Sequence, residues 1–311
     1  MTWFASPCPA RRPRVPRQLI WLTALLAALA PALAPAAGDK LLLTGGVSSI
    51  DGAAGGGLTP WAVTGSYASS GQWGATAFST TVVTQDHRLQ EAGAAVAWND
   101  RLELSLAQQD FDTGATGTAL GLPGLRLRQA ILGVKWRFAG DAILDSDRLM
   151  PALAVGLQAR HLDAGGLAPT LAALGARRQG VDVYISATKL LLGPGVLLNG
   201  TLRATRANQN GLLGFGGSGK TAYKLMPELS LAWLLRRDLA VGAEWRRKPD
   251  NLNPSILGAG LREDDWADVF IAWAPSKRVS VTAAWVDLGP IVPAVHPRRQ
   301  TGAYLSVQVA L

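Results

Sequence analysis

After residue 36 the chain offers no run of the ~18 uninterrupted apolar residues that a membrane-spanning helix needs. What recurs instead is period-two alternation in segments of roughly ten residues. "RLELSLAQ" sets Leu102, Leu104 and Leu106 against Glu103 and Ser105. "AILGVKWRF" sets Leu132, Val134, Trp136 and Phe138 against Gly133, Lys135 and Arg137. Successive side chains of a strand point to opposite faces, so each segment predicts an extended strand with one apolar and one polar face. The pattern repeats in "VDVYISAT", "LAVGAEWR" and "VSVTAAW", and again in the closing "GAYLSVQVAL".

A half-buried soluble sheet alternates too. Two features favour a membrane. The apolar faces often end in tryptophan, and indole rings prefer the bilayer interface. Trp61, Trp73, Trp98, Trp136, Trp233, Trp245, Trp266, Trp273 and Trp285 are the candidate girdle, nine of 11 tryptophans in the chain. Connection lengths also alternate. Short turns fall at Asn99–Asp100, Leu192–Gly195, Arg236–Asp238 and Pro275–Arg278, and between them lie long Gly/Pro-rich connections near 111–124, 163–179, 206–222, 248–264 and 288–300. Short turns at one end and long loops at the other are the plan of an outer-membrane barrel. The expected fold is therefore all-β: a transmembrane, antiparallel, up-and-down barrel with short periplasmic turns and long outer loops. Thirteen runs are readable, beginning near 59, 72, 89, 101, 125, 151, 181, 196, 225, 239, 266, 279 and 301. Parity adds "DKLLLTGG" (39–46) as a first strand, giving about 14 strands, with 12 as the alternative.

The first 36 residues read as an export signal. Arg11, Arg12, Arg14 and Arg17 precede a twelve-residue apolar core, Leu19 to Ala30, and cleavage is expected after Ala36. Removing them takes four positive charges from a formal +8, so the mature chain stands near +4 and its basicity is no argument for nucleic acid. Cys8, the one cysteine, leaves with them, which excludes a disulfide or a thiolate metal site in the mature chain. The expected organisation is 1–36 signal peptide, 37–58 an N-terminal segment serving as first strand or lumen plug, and 59–311 the barrel. The expected location is the outer membrane of a Gram-negative cell.

"LLLTGGVSSIDGAAGGGLTPWA" (41–62), "ATRANQNGLLGFGG" (204–217), "KPDNL" (248–252) and "REDDWADVFIAWAP" (262–275) resemble a family of proteobacterial outer-membrane barrels catalogued as a domain of unknown function. The resemblance covers essentially the whole mature chain. It implies a porin-like barrel in the outer membrane and brings no catalytic residues with it.

The inward faces carry Glu103, Lys135, Arg137, Arg160, Asp182, Arg203, Glu228, Glu244, Arg246 and Asp268 as candidate pore-lining residues. Lining an aqueous pore, they would tune its selectivity; paired across the lumen, they would fill it. "GFGGSGKT" (214–221) fits the spacing of a phosphate-binding loop. That loop needs a buried parallel strand before it and a helix after it, and the flanking segments alternate instead. It is expected to be part of an outer loop, either above the membrane or folded into the lumen. "REDDW" (262–266) could hold a divalent cation or contact lipopolysaccharide, though a charge run is more often a solvated loop. His87, His161 and His296 fall in or near outer loops and none sits mid-strand, where a catalytic Ser–His pair would need rigid placement. No catalytic, cofactor or metal residue is assigned, and no enzyme is expected. The expected function is a channel or transporter for small solutes, with a structural or surface-interaction barrel as the alternative. The expected partners are outer-membrane lipid, lipopolysaccharide, the barrel-assembly machinery and a small solute, with no nucleic acid.

Overall fold

A computed structural model describes residues 40–142, 150–256 and 258–310. The expected cleavage site at Ala36 lies outside the described residues. Two short strands, β1 (Val47–Ser48) and β2 (Ala54–Gly55), pair with each other. Twelve longer strands form the wall: β3 (Trp73–Thr84), β4 (Arg88–Trp98), β5 (Leu102–Asp112), β6 (Arg126–Ala139), β7 (Ala152–Asp163), β8 (Gln179–Leu191), β9 (Val196–Thr205), β10 (Lys224–Arg236), β11 (Leu239–Arg246), β12 (Trp266–Ser276), β13 (Val279–Asp287) and β14 (Thr301–Ala310). Each pairs antiparallel with its sequence neighbours, and β14 returns to β3 with Gly302 opposite Thr84 and Ala310 opposite Thr76. Closure leaves no edge strand whose backbone groups would face lipid unpaired.

The count is the expected alternative of 12, not 14. The runs from Asp39 and from Thr59 are not wall strands. Thr59, Trp61, Ala62 and Val63 are all buried whatever their parity. A segment surrounded by the wall on every side has no lipid face, so its alternation carries no face information. The barrel wall begins at Trp73, and residues 40–66 lie inside it.

Elsewhere the alternation maps onto the wall as expected. In β5, Leu104 and Leu106 point outward while Glu103, Ser105 and Ala107 are buried. The same inversion of a soluble protein's plan recurs at Leu132, Leu229 and Val269, each more than half exposed. Such a belt of exposed apolar side chains is stable only against lipid. The short connections lie at one end and the long ones at the other, with two departures: β3 and β4 are joined at the long-loop end by only Gln85–His87, and β6 and β7 are joined at the short-turn end by residues 140–151. On the lumen face, Phe78, Tyr184 and Phe270 sit directly opposite Gly93, Gly156 and Gly242 on the adjacent strands. A β-carbon on those glycines would fall within 2.5 Å of the facing ring, so each aromatic covers a backbone that has no side chain of its own.

The girdle needs two corrections. Trp73, Trp98, Trp136, Trp233 and Trp273 are exposed at the short-turn end, and Trp285 is exposed toward the other end. Trp245, near that same end of β11, is half-buried and donates to Asp265. Trp61 and Trp266, however, are buried inside the lumen, 4% and 3% exposed. Trp61 belongs to the inner segment and donates from Nε1 to Ser230. Trp266 shares its face of β12 with Asp268, so strand parity turns it inward.

Candidate functional site

Residues 40–66 form a hairpin that occupies the lumen. Both ends are fixed at the short-turn end, where Lys40 and Thr64 bond the carboxylate of Asp100. Lys40 also donates to the Ser66 carbonyl at 3.0 Å. Burial lowers the Lys40 ammonium from its ordinary range, an effect partly offset by Asp100. The hairpin tip is tight: Ile50 N–H bonds the Gly57 carbonyl at 2.8 Å, and Ser49 N–H bonds the Ala53 carbonyl at 2.9 Å. The glycines of "GAAGGG" fit this confined course. A β-carbon on Gly55 would sit 2.0 Å from the Thr59 carbonyl oxygen, and one on Gly56 would sit 2.1 Å from Glu244 Oε1.

Wall side chains reach in to hold this hairpin. Glu103 accepts from the backbone N–H of Ala54 (3.0 Å) and Gly65 (2.7 Å), and it pairs with Lys135 at 3.0 Å. Lys135 donates to the Ala54 carbonyl at 2.8 Å. Glu244 accepts from Leu58 N–H, Thr59 Oγ1 and Ser230 Oγ, all within 2.7 Å. Asp268 lies opposite Glu244 across β11 and β12, is buried, and has no hydrogen-bond donor among the described residues.

Near the long-loop ends of their strands, at a level termed the waist of the lumen, three arginines from alternate strands converge on one carboxylate. Asp51 Oδ1 pairs with Arg160 at 2.9 Å, and Asp51 Oδ2 pairs with Arg246 at 2.8 Å and Arg203 at 3.2 Å. Asp182 and Glu228 complete the set from the wall: Arg160–Asp182 is 3.1 Å, Arg203–Glu228 is 2.5 Å and Arg246–Glu228 is 3.3 Å. All six side chains are essentially buried. Three cations meet three anions, which is how buried charge is tolerated.

A second segment arrives from the long-loop end. Asn208–Phe215, within the connection of β9 to β10, is buried rather than raised above the barrel. Gln209 and Asn210 take left-handed backbone conformations, with φ of 45° and 56°. Asn210 donates from Nδ2 to Asp51 at 3.0 Å, and its Oδ1 accepts from Arg160 and Arg246, both at 2.9 Å. The phosphate-loop spacing thus has another role. Phe215 exchanges backbone bonds with Arg177, and Lys220 holds the Asn253 carbonyl.

Nine of the ten candidate pore-lining residues are buried in the lumen; Arg137 sits at the short-turn rim, paired with Asp100 at 2.7 Å and Asp141 at 3.3 Å. They are joined by residues the sequence reading did not single out, above all Asp51 and Asn210. A signal for Asp51 was present: it is the one acid between Lys40 and Gln85. The "REDDW" acids do not converge on a cation. Glu263 pairs with Lys248 at 3.1 Å, Asp264 with Arg299 at 2.7 Å, and Asp265 accepts from Trp245. Burial raises the Glu263 carboxyl and lowers the Lys248 ammonium, each countered by the other's charge. Among the described residues no acidic or histidine cluster could hold a metal. His87 stacks on Phe111 with ring centres 5.2 Å apart and meets Gln300 and Thr116 through its two nitrogens. Burial lowers its pKa.

A family model described as a protein of unknown function (DUF3034) matches residues 44–308. The chain belongs to that family. No curated protein matches it. Among solved structures, the NanC porin aligns with a TM-score of 0.50 at 7% identity, over 76% of this chain and 100% of that one. The KdgM porin aligns at 0.46 and 7%, over 75% and 98%. The Pseudomonas putida toluene transporter TodX aligns at 0.43 and 9%, over 88% and 97%. The NanC likeness, at that identity, speaks to the fold alone.

Proposed function

We propose that the protein is an outer-membrane channel for small solutes, closed at rest by its own N-terminal segment. One observation carries the reading: the N-terminal hairpin enters the lumen and is held there by inward wall side chains, Glu103, Glu244, Arg160 and Arg246 among them. Eight-stranded barrels are filled by side chains, and the interior widens with strand number. Twelve strands leave room for a segment of chain, and the polar inner wall is what an aqueous path requires once that segment moves. The partners in this reading are outer-membrane lipid, lipopolysaccharide and the barrel-assembly machinery, and the chemistry is passage rather than catalysis.

Liposome swelling tests it. Proteoliposomes carrying the protein are expected to admit small solutes faster than empty liposomes, and faster still when the Asp51 anchor is removed. Equal rates in all three would overturn it. The dense bonding of the hairpin favours a second reading, a permanently closed barrel that displays its long loops. Loop deletions that abolish surface binding while permeability stays at the empty-liposome level would support that one.

A further inference from the structure

The carboxylate of Asp51 is held as a ligand would be held. Each oxygen receives two donors: Arg160 and Asn210 at Oδ1, Arg203 and Arg246 at Oδ2, all between 2.8 and 3.2 Å. The donors come from three wall strands and one inserted loop, whereas the acceptor comes from the hairpin. If the hairpin withdraws, three guanidiniums face only Asp182 and Glu228 within pairing distance, and a four-donor carboxylate cradle is left vacant. The residue before Asp51 has its own setting. Ile50, with Leu58, forms the floor of a cavity of about 30 Å³ toward the long-loop end, walled by Phe111, Leu127 and Trp266 and covered by Leu213. Its lining is almost wholly apolar and its free space is about one water's, so a larger apolar body fits there only where Ile50 has left.

We propose that the tip Ile50–Asp51 is an internal surrogate for the solute, and that the solute is a small monocarboxylate with an apolar body. Resting on the channel reading, this assigns the waist as the binding site and the hairpin as its resident competitor. The carboxylate takes the place of Asp51 among the arginines and Asn210, and the apolar body takes the place of Ile50 against Phe111, Leu127 and Trp266. Arg supplies paired, planar donors suited to a carboxylate, and such charge-assisted bonds are roughly twice as strong as neutral ones.

The test is rescue of an emptied cradle. Thermal unfolding of the full mature chain in a nonionic detergent is measured for the wild type and Asp51→Ala. The probes are sodium benzoate, sodium formate, benzyl alcohol and sodium chloride, the salts at matched ionic strength. Asp51→Ala is expected to unfold at a lower temperature and to regain the loss saturably with benzoate. Formate is expected to need about tenfold higher concentration, because it buries no apolar body. Benzyl alcohol and chloride restore nothing, and the wild type does not respond. Benzoate acting no better than chloride, or raising the wild type equally, overturns the proposal; formate matching benzoate overturns its apolar half. Should Asp51→Ala not fold, Asp51→Asn in a planar bilayer is expected to shift the reversal potential toward anion preference, and unchanged selectivity counts against the cradle. If rescue fails while the protein still conducts, only the solute class falls; if nothing conducts, the channel reading falls.

Discussion

The waist of the lumen and the chamber above it are closed by different physics. At the waist, closure is directional: three guanidiniums, three carboxylates and the Asn210 amide fix the hairpin in one register. In the chamber, Leu58, Leu127, Leu212, Leu213, Trp266 and Ile291 meet by apolar packing, with no charge among them. The loops over it are tied by polar bonds, among them Gln209 N–H to Glu263 at 2.9 Å, Lys248 to Gln209 Oε1 at 2.6 Å, Asn251 Nδ2 to Asn208 Oδ1 at 3.1 Å and Gln209 Nε2 to the Ile291 carbonyl at 3.2 Å. Packing is non-directional and tolerates displacement of its parts, whereas a buried charge left without its partner is costly. The difference assigns the charge lock on the hairpin to the waist and apolar filling to the chamber.

Breaking the waist is expected to have the largest effect. Asp51→Ala leaves buried guanidinium charge uncompensated and is expected to destabilise the folded barrel by about 3–5 kcal/mol, read as a lower temperature of heat-modifiable gel mobility. Leu213→Ala, in the chamber, is expected to cost about 2–4 kcal/mol by the same measurement without changing ion selectivity in a bilayer. A selectivity change there would erase the distinction between the two regions. Gly55→Ala tests the hairpin without touching a charge. Its β-carbon meets the Thr59 carbonyl, and the expected cost is about 1–3 kcal/mol with more frequent channel openings.

The smallest expected effect is one of pH at the chamber's rim. His87 has its pKa lowered by burial in the folded state, so the unfolded state binds more protons and stability falls as pH drops below about 6.5. The neighbouring Asp86, bonded by Arg298 and Gln300, is held at about 2, so its contribution persists until pH falls below about 4. Protease nicking of the 288–300 loop is therefore expected to rise first near pH 6 and again below pH 4. His87→Gln is expected to remove the first rise only; retention of both would mean another group controls this corner.

Much of the wall was legible because a membrane barrel writes its two faces into alternate residues. Leu102 to Ala107 could be assigned to lipid or lumen from sequence, and so could nine buried wall charges. Trp266 was legible too, since it is in phase with Asp268; its indole suggested a girdle, but position on the strand decided otherwise. The inner hairpin was not legible as such. Residues 59–63 alternate by accident, and nothing local distinguishes a strand facing lipid from a segment enclosed by a wall that is built later in the chain. The site was half visible for the same reason. Arg160, Arg203 and Arg246 could be placed inward, but their convergence on Asp51 depends on contacts spanning more than 100 residues.

The most direct test of the account locks the hairpin to the wall. A β-carbon on Gly52 would lie 2.9 Å from that of Ala107, near enough for a disulfide after a small outward shift, with some backbone strain because Gly52 holds a φ of 84°. The mature chain expected from the sequence has no cysteine of its own, so Gly52→Cys with Ala107→Cys would form a single bridge. Conductance of this variant is recorded in one planar bilayer before and after a reductant is added. The account expects silence while the bridge is intact and channel openings once it is reduced. Equal conductance in both states would show that solute passes with the hairpin fixed in place, and would contradict closure by residues 40–66.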